Sequence, residues 1–169
     1  MNKCVFLDRD GVLNKELGCQ VTQAEEFEVI KNIKEPLKAL KEAGFLLIVI
    51  TNQSGIAKGD YGPEFVLECH ARIQDACGGL LDDLYFAPGH ESVSKSLSRK
   101  PDSLMFERAM AKHRIDPANS IMIGDKERDL IPAKKLGMGA ILISDDQTSD
   151  YSDVRVKDLA DAASIIINL

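Results

Sequence analysis

Short apolar runs alternate with amphipathic segments along the chain, and this alternation most constrains the possible fold. The runs that predict strands are residues 4–7, 45–50, 80–87, 120–124 and 140–143. The segments with helical spacing are residues 33–43, 63–77, 101–113, 130–136 and 159–167. Buried strands that alternate with helices predict an α/β fold, in which helices cover both faces of a mostly parallel sheet.

We predict a single domain over residues 1–169, because no stretch has the composition of a linker. The segment 14–35 is expected to bear a helix and is too short for a large cap. No stretch is long and apolar enough to span a membrane. The N-terminus reaches Asp8 after four apolar residues, too few for a secretory signal.

The net charge indicates which kinds of partner to expect, and the cysteine content indicates which cellular compartment. The net charge of −6 argues against a nucleic-acid partner, because DNA and RNA are polyanions. Cys4, Cys19, Cys69 and Cys77 form no CxxC pair, so we expect reduced thiols in a cytoplasmic protein. The charge does not argue against a small phosphorylated metabolite as the partner, because a few local cations and a metal can dominate one pocket. We expect a monomer with no membrane partner.

Polar residues stand where the predicted strands end. In parallel sheets ligands bind outside the carboxyl ends of the strands, so Asp8, Thr51, Asp125 and the loop 87–100 should meet at one edge. Asp8 and Asp10 follow the first strand. Close carboxylates repel, so a nearby cation would stabilise them, and Mg²⁺ prefers such oxygen ligands.

Three further motifs each have a structural alternative. Residues 51–55 (TNQSG) suit a phosphate cradle but also a capped strand-to-helix turn. Arg99 and Lys100 precede Pro101, although a basic pair at a surface is common. Asp125 and Asp129 are four residues apart and could share a helix face, or serve as a helix cap and a first-turn acid.

The ordered set of four motifs is more specific than any one of them. It resembles the haloacid dehalogenase (HAD) superfamily, and most closely its subgroup of heptose bisphosphate and histidinol-phosphate phosphatases. The matching runs are residues 6–14, 26–28, 51–59, 99–101 and 124–126. The resemblance covers roughly residues 5 to 143 and implies a Rossmann-like three-layer αβα domain with a minimal cap.

The resemblance implies a role for each matched residue. Asp8 would accept the phosphoryl group, and Asp10 would protonate the leaving oxygen and then activate water. Thr51 would hold the phosphoryl group and Lys100 would neutralise its charge. Mg²⁺ would bind the Asp8 carboxylate, the Asp10 carbonyl and the Asp125 carboxylate. Expected substrate contacts are Arg9, Asn52, Gln53, Ser54, Arg99 and Lys126. Arg99 would grip a second anionic group, and Asp129 would support Lys126 or metal-bound water.

One loop departs from the subgroup. Many members carry a zinc loop of cysteines and a histidine, but the aligned positions here are Ala87, Gly89, Ser96 and Ser98. His90 falls one place off the pattern. A structural zinc site needs four nitrogen or sulfur ligands, so we expect no zinc. We interpret His70 and His113 as structural residues.

The favoured function is Mg²⁺-dependent hydrolysis of a small phosphate monoester, most simply a sugar phosphate such as D-glycero-D-manno-heptose 1,7-bisphosphate. Histidinol phosphate is the alternative substrate. A phospho-accepting receiver domain is an alternative of another class, but its acceptor aspartate would end the third strand, where this chain has Phe86, Ala87 and Pro88. A degenerate binding protein fits poorly, because all four motifs are intact.

Overall fold

A computed structural model describes residues 1–18 and 21–169, so the expectation for Cys19 lies outside the described residues. The strands are β1 (Cys4–Leu7), β2 (Leu46–Asn52), β3 (Asp83–Ala87), β4 (Ile121–Gly124), β5 (Gly139–Ile143) and β6 (Val154–Val156). They form one sheet in the order β3-β2-β1-β4-β5-β6, and every pair is parallel. The predicted parallel sheet is therefore confirmed.

Helices cover both faces of this sheet. They are α1 (Lys34–Glu42), α2 (Gly55–Lys58), α3 (Pro63–Cys77), α4 (Leu104–His113), α5 (Glu127–Lys135) and α6 (Leu159–Ile167). Alternate β1 residues face opposite layers. Val5 and Leu7 pack in the core with α1, α3 and α6, whereas Cys4 and Phe6 pack with α4 and α5. The three-layer αβα arrangement is as predicted.

The position of β1 fixes the functional edge. Leu7 pairs with Val49 of β2 on one side and with Ile123 of β4 on the other. Asp8, the next residue, therefore lies between the carboxyl ends of β2 and β4, where Thr51 and Asp125 are found. This register brings the strand-end residues together, as the topology predicted.

Several boundaries differ from the prediction. Strand β2 continues through Thr51 to Asn52, so the hydroxyl lies within the strand. Helix α4 begins at Leu104, after a turn that contains Pro101, so this proline is not in its first turn. Helix α5 begins at Glu127 and so includes Asp129. Strand β6 was not predicted, because three residues with one exposed polar side chain give no distinct pattern.

The segment between β1 and α1 has less helix than expected. In the described part of residues 14–33 the helical element is one 3-10 turn, Ala24–Glu26. Bridges join Asn14 to Asp10 and to Val29, and fold this segment back over the end of β1. The described cap is therefore a short loop over the sheet edge.

Two further findings concern the cysteines and the helices. Among the described residues, Cys4, Cys69 and Cys77 are free and buried. In the same part of the chain, every helix falls short of the length and apolar character that a membrane crossing needs.

We predict that Phe106→Ala lowers the free energy of unfolding by about 3–5 kcal/mol, because it leaves a cavity in the α4–α5 layer. Phe106 is fully buried, and its ring centroid lies 5.2 Å from that of Phe6. Urea denaturation measures the loss. The control is Leu67→Ala, because Leu67 is 55% exposed on α3; it should change stability by less than about 1 kcal/mol. Equal losses in the two variants would contradict this account of the core.

Candidate active site

A buried lysine joins the carboxylates at the sheet edge. Asp8 follows β1, and its Oδ1 accepts a hydrogen bond from the Arg9 backbone N–H at 2.8 Å and forms an ion pair with Lys100 Nζ, also at 2.8 Å. Lys100 Nζ lies 2.7 Å from Asp129 Oδ1 and donates to the Ile50 carbonyl at 2.8 Å. The attraction of Asp129 and Asp8 outweighs the burial that favours the neutral amine, so the pKa of Lys100 is raised. The lysine therefore stays charged.

Asn52 holds the backbone of Lys100 in place. The Lys100 N–H donates to Asn52 Oδ1 at 2.9 Å, and Asn52 Nδ2 donates to the Lys100 carbonyl at 3.0 Å. The sequence predicted Asn52 as a substrate contact. In the structure its amide is occupied by these two bonds, which fix Lys100 against the end of β2.

Three buried carboxylates form a candidate metal site. They are those of Asp8, Asp125 and Asp129, and one carboxylate oxygen of each lies within 4.8 Å of the other two. Burial, followed by repulsion from Asp129, raises the pKa of both Asp8 and Asp125, so a cation would stabilise their ionised forms. Clustered carboxylate oxygens suit Mg²⁺.

The partners of these carboxylates indicate which ones are open to a metal. Asp129 is already engaged, because its Oδ2 accepts the Lys126 backbone N–H at 3.1 Å and its Oδ1 pairs with Lys100. The sequence suggested Lys126 or metal-bound water as its partner, and in the structure the contact with Lys126 is made by the backbone N–H. Asp8 Oδ2 has no hydrogen-bond partner among the described residues. Asp8 and Asp125 are therefore the better ligands, with the predicted Asp10 carbonyl as a third.

Two glycines let the backbone approach these acids. Gly11 has a φ of +82°, and a Cβ there would lie 2.5 Å from Asp125 Oδ2. A Cβ on Gly124 would lie 2.5 Å from the Asp129 Cβ. Both distances are too short for any side chain, so these glycines are needed where the motifs place them.

Asp10 is held by three donor side chains. Arg9 Nη2 lies 2.9 Å from Asp10 Oδ1 and 3.2 Å from Oδ2. Asn14 Nδ2 donates to Oδ1 at 3.0 Å, and Gln53 Nε2 donates to Oδ2 at 3.1 Å. The predicted acid–base residue is thus fixed beside Asp8, and Asn14 is a partner that the sequence did not single out.

Gln53 links Asp10 to Thr51. Its Nε2 also donates to Thr51 Oγ1 at 2.9 Å, and its Oε1 accepts from the Tyr61 hydroxyl at 2.7 Å. Both amide hydrogens point at protein atoms, so Gln53 orients the site as well as lining it. Tyr61 lies outside the matched motifs, and no local pattern in the sequence would have identified it.

A cleft of about 410 Å³ opens beside Asp10 and Gln53; the described residues that line it do not include Asp8, Thr51, Lys100 or Asp125. The predicted residues that line it are Arg9, Asp10, Asn52, Gln53, Ser54 and Lys126. Other lining residues are Lys15, Glu16, Leu17, Gly18, Val21, Tyr61 and Arg128. Arg99 is not among them; it borders a neighbouring cavity and its Nη1 donates to the Gly89 carbonyl at 3.3 Å. Arg128 lies between Asp125 and Asp129 in the sequence. A cationic residue within that motif is the signal that could have identified it.

The loop aligned with the zinc motif is closed by small polar groups. Ser96 Oγ and Ser98 Oγ lie 2.7 Å apart. Gly89 approaches Ser96 so closely that a Cβ on the glycine would lie 3.2 Å from the serine Cβ. Gly89, Ser96 and Ser98, three of the four aligned positions, are therefore in contact. The two serine hydroxyls face each other, and the backbone of Gly89 packs against Ser96.

Comparison with known proteins gives consistent matches. Residues 97–165 match the family described as HAD-hydrolase-like. The chain is 38% identical to D-glycero-beta-D-manno-heptose-1,7-bisphosphate 7-phosphatase of Haemophilus ducreyi, over 80% of this chain and 79% of that protein. It is 35% identical to the Helicobacter pylori protein of the same name, over 98% of each. A crystal structure of D,D-heptose 1,7-bisphosphate phosphatase from B. bronchiseptica, complexed with magnesium and phosphate, has the same fold, with a TM-score of 0.87, 24% identity and 98% of both chains covered.

We predict that Gly11→Ala weakens Mg²⁺ binding by roughly ten- to a hundredfold, a typical cost of disturbing the support of a metal ligand. The new methyl group would displace the Asp125 carboxylate. Gly137→Ala is the matched control, because Gly137 has a φ of +81° and a Cβ there would meet no described atom within 4 Å. Both variants strain the backbone, but the control should keep its affinity in a calorimetric titration with Mg²⁺. Equal affinities would show that the contact with Asp125 is unimportant.

Proposed function

Because the chain belongs to the HAD-like hydrolases that include the heptose bisphosphate 7-phosphatases, we propose that it is a Mg²⁺-dependent phosphatase of D-glycero-D-manno-heptose 1,7-bisphosphate. We propose that one domain, residues 1–169, performs the reaction and removes the 7-phosphate. The observation that carries the chemistry is the buried Asp8, paired with Lys100 inside a cluster of carboxylates.

The proposed reaction has two displacements at phosphorus. A carboxylate oxygen of Asp8 attacks phosphorus, the bond to the sugar oxygen breaks, and Asp10 gives that oxygen a proton. Water then attacks the aspartyl-phosphate while Asp10 takes up its proton. Inorganic phosphate leaves, and both aspartates return to their starting state. The hydrogen bonds from Arg9, Asn14 and Gln53 support this role, because they fix the Asp10 carboxylate beside Asp8.

The phosphoryl group is negatively charged while it is transferred, and cations placed around its oxygens stabilise it. Lys100 would supply one, and Mg²⁺ held by Asp8, Asp125 and the Asp10 carbonyl would supply another. Thr51 and the backbone N–H groups of the turn 52–55 would hold the remaining oxygens. This division of roles explains why the lysine is fully buried: it serves the reacting group and not the rest of the substrate.

The lining of the cleft favours a sugar bisphosphate over histidinol phosphate. Four cationic side chains line it, those of Arg9, Lys15, Lys126 and Arg128, against two carboxylates, those of Asp10 and Glu16. Histidinol phosphate carries a protonated amine, which these cations would repel, whereas a second phosphate would be attracted. Glu16, Ser54 and Tyr61 offer groups that can hydrogen-bond sugar hydroxyls.

We further propose a cytoplasmic monomer that needs no zinc. The free, buried thiols among the described residues support a reducing compartment. The side chains at the aligned zinc positions, those of Ala87, Ser96 and Ser98 with Gly89 between them, offer neither thiolate nor imidazole.

We predict that Asp8→Asn abolishes turnover of heptose 1,7-bisphosphate while the far-UV circular dichroism spectrum stays unchanged. An amide has nearly the shape of the carboxylate but is a poor nucleophile. Asp146→Asn is the control, because it makes the same chemical change in an exposed loop. Released phosphate is measured for both variants and for wild type, with histidinol phosphate as a second substrate. An Asp8→Asn variant that turned over near the wild-type rate would refute the mechanism, and faster wild-type release from histidinol phosphate would reverse the order of substrates.

We also predict that activity disappears on full chelation and returns with Mg²⁺ alone. The buried oxygen ligands suit this ion, and the aligned zinc positions lack zinc ligands. Elemental analysis of the purified protein should find zinc well below one equivalent. Activity that survived chelation, or one bound zinc per chain, would contradict the proposal.

A further inference from the structure

The cations that line the cleft differ in whether the protein already neutralises them. Arg9 is paired with Asp10, and its Nη2 lies 2.9 Å from the Asp10 carboxylate. Lys15 is paired with Glu28. Lys126 Nζ lies 3.1 Å from Asp125 Oδ2. A cation with a partner of its own must give up that interaction, at least in part, to bind a ligand.

Arg128 is the exception in this set. It lines the cleft and is exposed, yet it forms no hydrogen bond or ion pair with any described residue. Its guanidinium is therefore available to an anion without the loss of an internal contact. A guanidinium also binds phosphate through two parallel hydrogen bonds, which an ammonium cannot do.

The backbone places Arg128 beside the reacting centre. It lies in the first turn of α5, between Asp125, a proposed Mg²⁺ ligand, and Asp129, the partner of Lys100. Three residues span at most about 11 Å between Cα atoms, so Arg128 is within one small ligand's length of the metal site. Its position is fixed by the same turn that fixes these two acids.

We propose that Arg128 binds the phosphate that is not transferred and thereby determines the preference for a bisphosphate. This inference rests on the proposed function and names the residue that recognises the far end of the substrate. It differs from the expectation for Arg99, which lies outside the cleft and donates to the Gly89 carbonyl.

Arg99 can assist without being the main contact. Burial and then the charge of Arg128 lower the pKa of Arg99, so the two guanidinium groups are close enough to repel each other. A doubly charged phosphate between them would relieve that repulsion. Arg128 is the nearer of the two to the cleft and is the one with no bond to the protein.

The test compares two substrates in matched variants. We expect Arg128→Ala to lower kcat/KM for heptose 1,7-bisphosphate by roughly ten- to a hundredfold, mainly through KM. The loss should be clearly smaller for heptose 7-phosphate, which lacks the remote phosphate. Arg128→Lys should recover part of the loss. Arg108→Ala is the control, because it removes an exposed arginine that borders a different cavity, next to β3.

A binding experiment separates this inference from the proposed function. The bisphosphate is titrated calorimetrically into Asp8→Asn protein with and without Arg128→Ala. Weaker binding in the double variant supports the inference even if wild type shows no turnover, a result that would defeat the proposed function alone. Equal binding, no binding, or a selective loss found in Arg99→Ala and not in Arg128→Ala would overturn the role of Arg128.

Discussion

The ion triad of Asp8, Lys100 and Asp129 is the interaction on which the site depends. Lys100 and Asp129 have no exposed side-chain surface, and Asp8 has 5%. Charges removed from water are costly unless they are paired and hydrogen-bonded, and removal of one partner typically costs about 3–5 kcal/mol. The triad meets this condition because Lys100 also reaches the Ile50 carbonyl. One side chain thus ties the ends of β1 and β2 to the first turn of α5.

The buried residues around the triad carry more negative than positive charge. One lysine is buried among three carboxylates, those of Asp8, Asp125 and Asp129. Lys126, which contacts Asp125, is 39% exposed at its side chain, so solvent screens its contribution. Burial, and then the negative charge of Asp129, raise the pKa of Asp8 and of Asp125, so a divalent cation would stabilise their ionised forms. That cation would in turn make the pocket attractive to a phosphate, which the bare carboxylates would repel.

The sequence revealed the positions of the site but not its internal contacts. Strand ends can be predicted from apolar runs, and parallel topology then gathers Asp8, Thr51 and Asp125 without any knowledge of side chains. Pairings such as Asn52 with the Lys100 backbone depend on distances between elements far apart in the chain, and no local pattern encodes them. The sequence therefore suggested only substrate contacts for Asn52 and Gln53, whereas in the structure both line the cleft and also position Lys100 and Asp10. Short strand β6 was missed for a related reason, because its pairing with β5 defines it more than its own composition does.

Because the described cap is small, other parts of the site must provide selectivity for the substrate. A large cap could enclose the substrate and contact all of it, but here the described part of the segment between β1 and α1 holds one 3-10 turn and a few bridges. Side chains on the rim of the cleft must then bind the end of the substrate that is remote from the transferred phosphate. Helix α5 supplies both kinds of group, because Asp129 faces Lys100 while Arg128 faces the cleft. Adjacent residues of a helical turn point in different directions, so one turn can serve the reacting phosphate and the remote one at a fixed separation. Selectivity for substrate length would then follow from helix geometry, with no movement of a cap required.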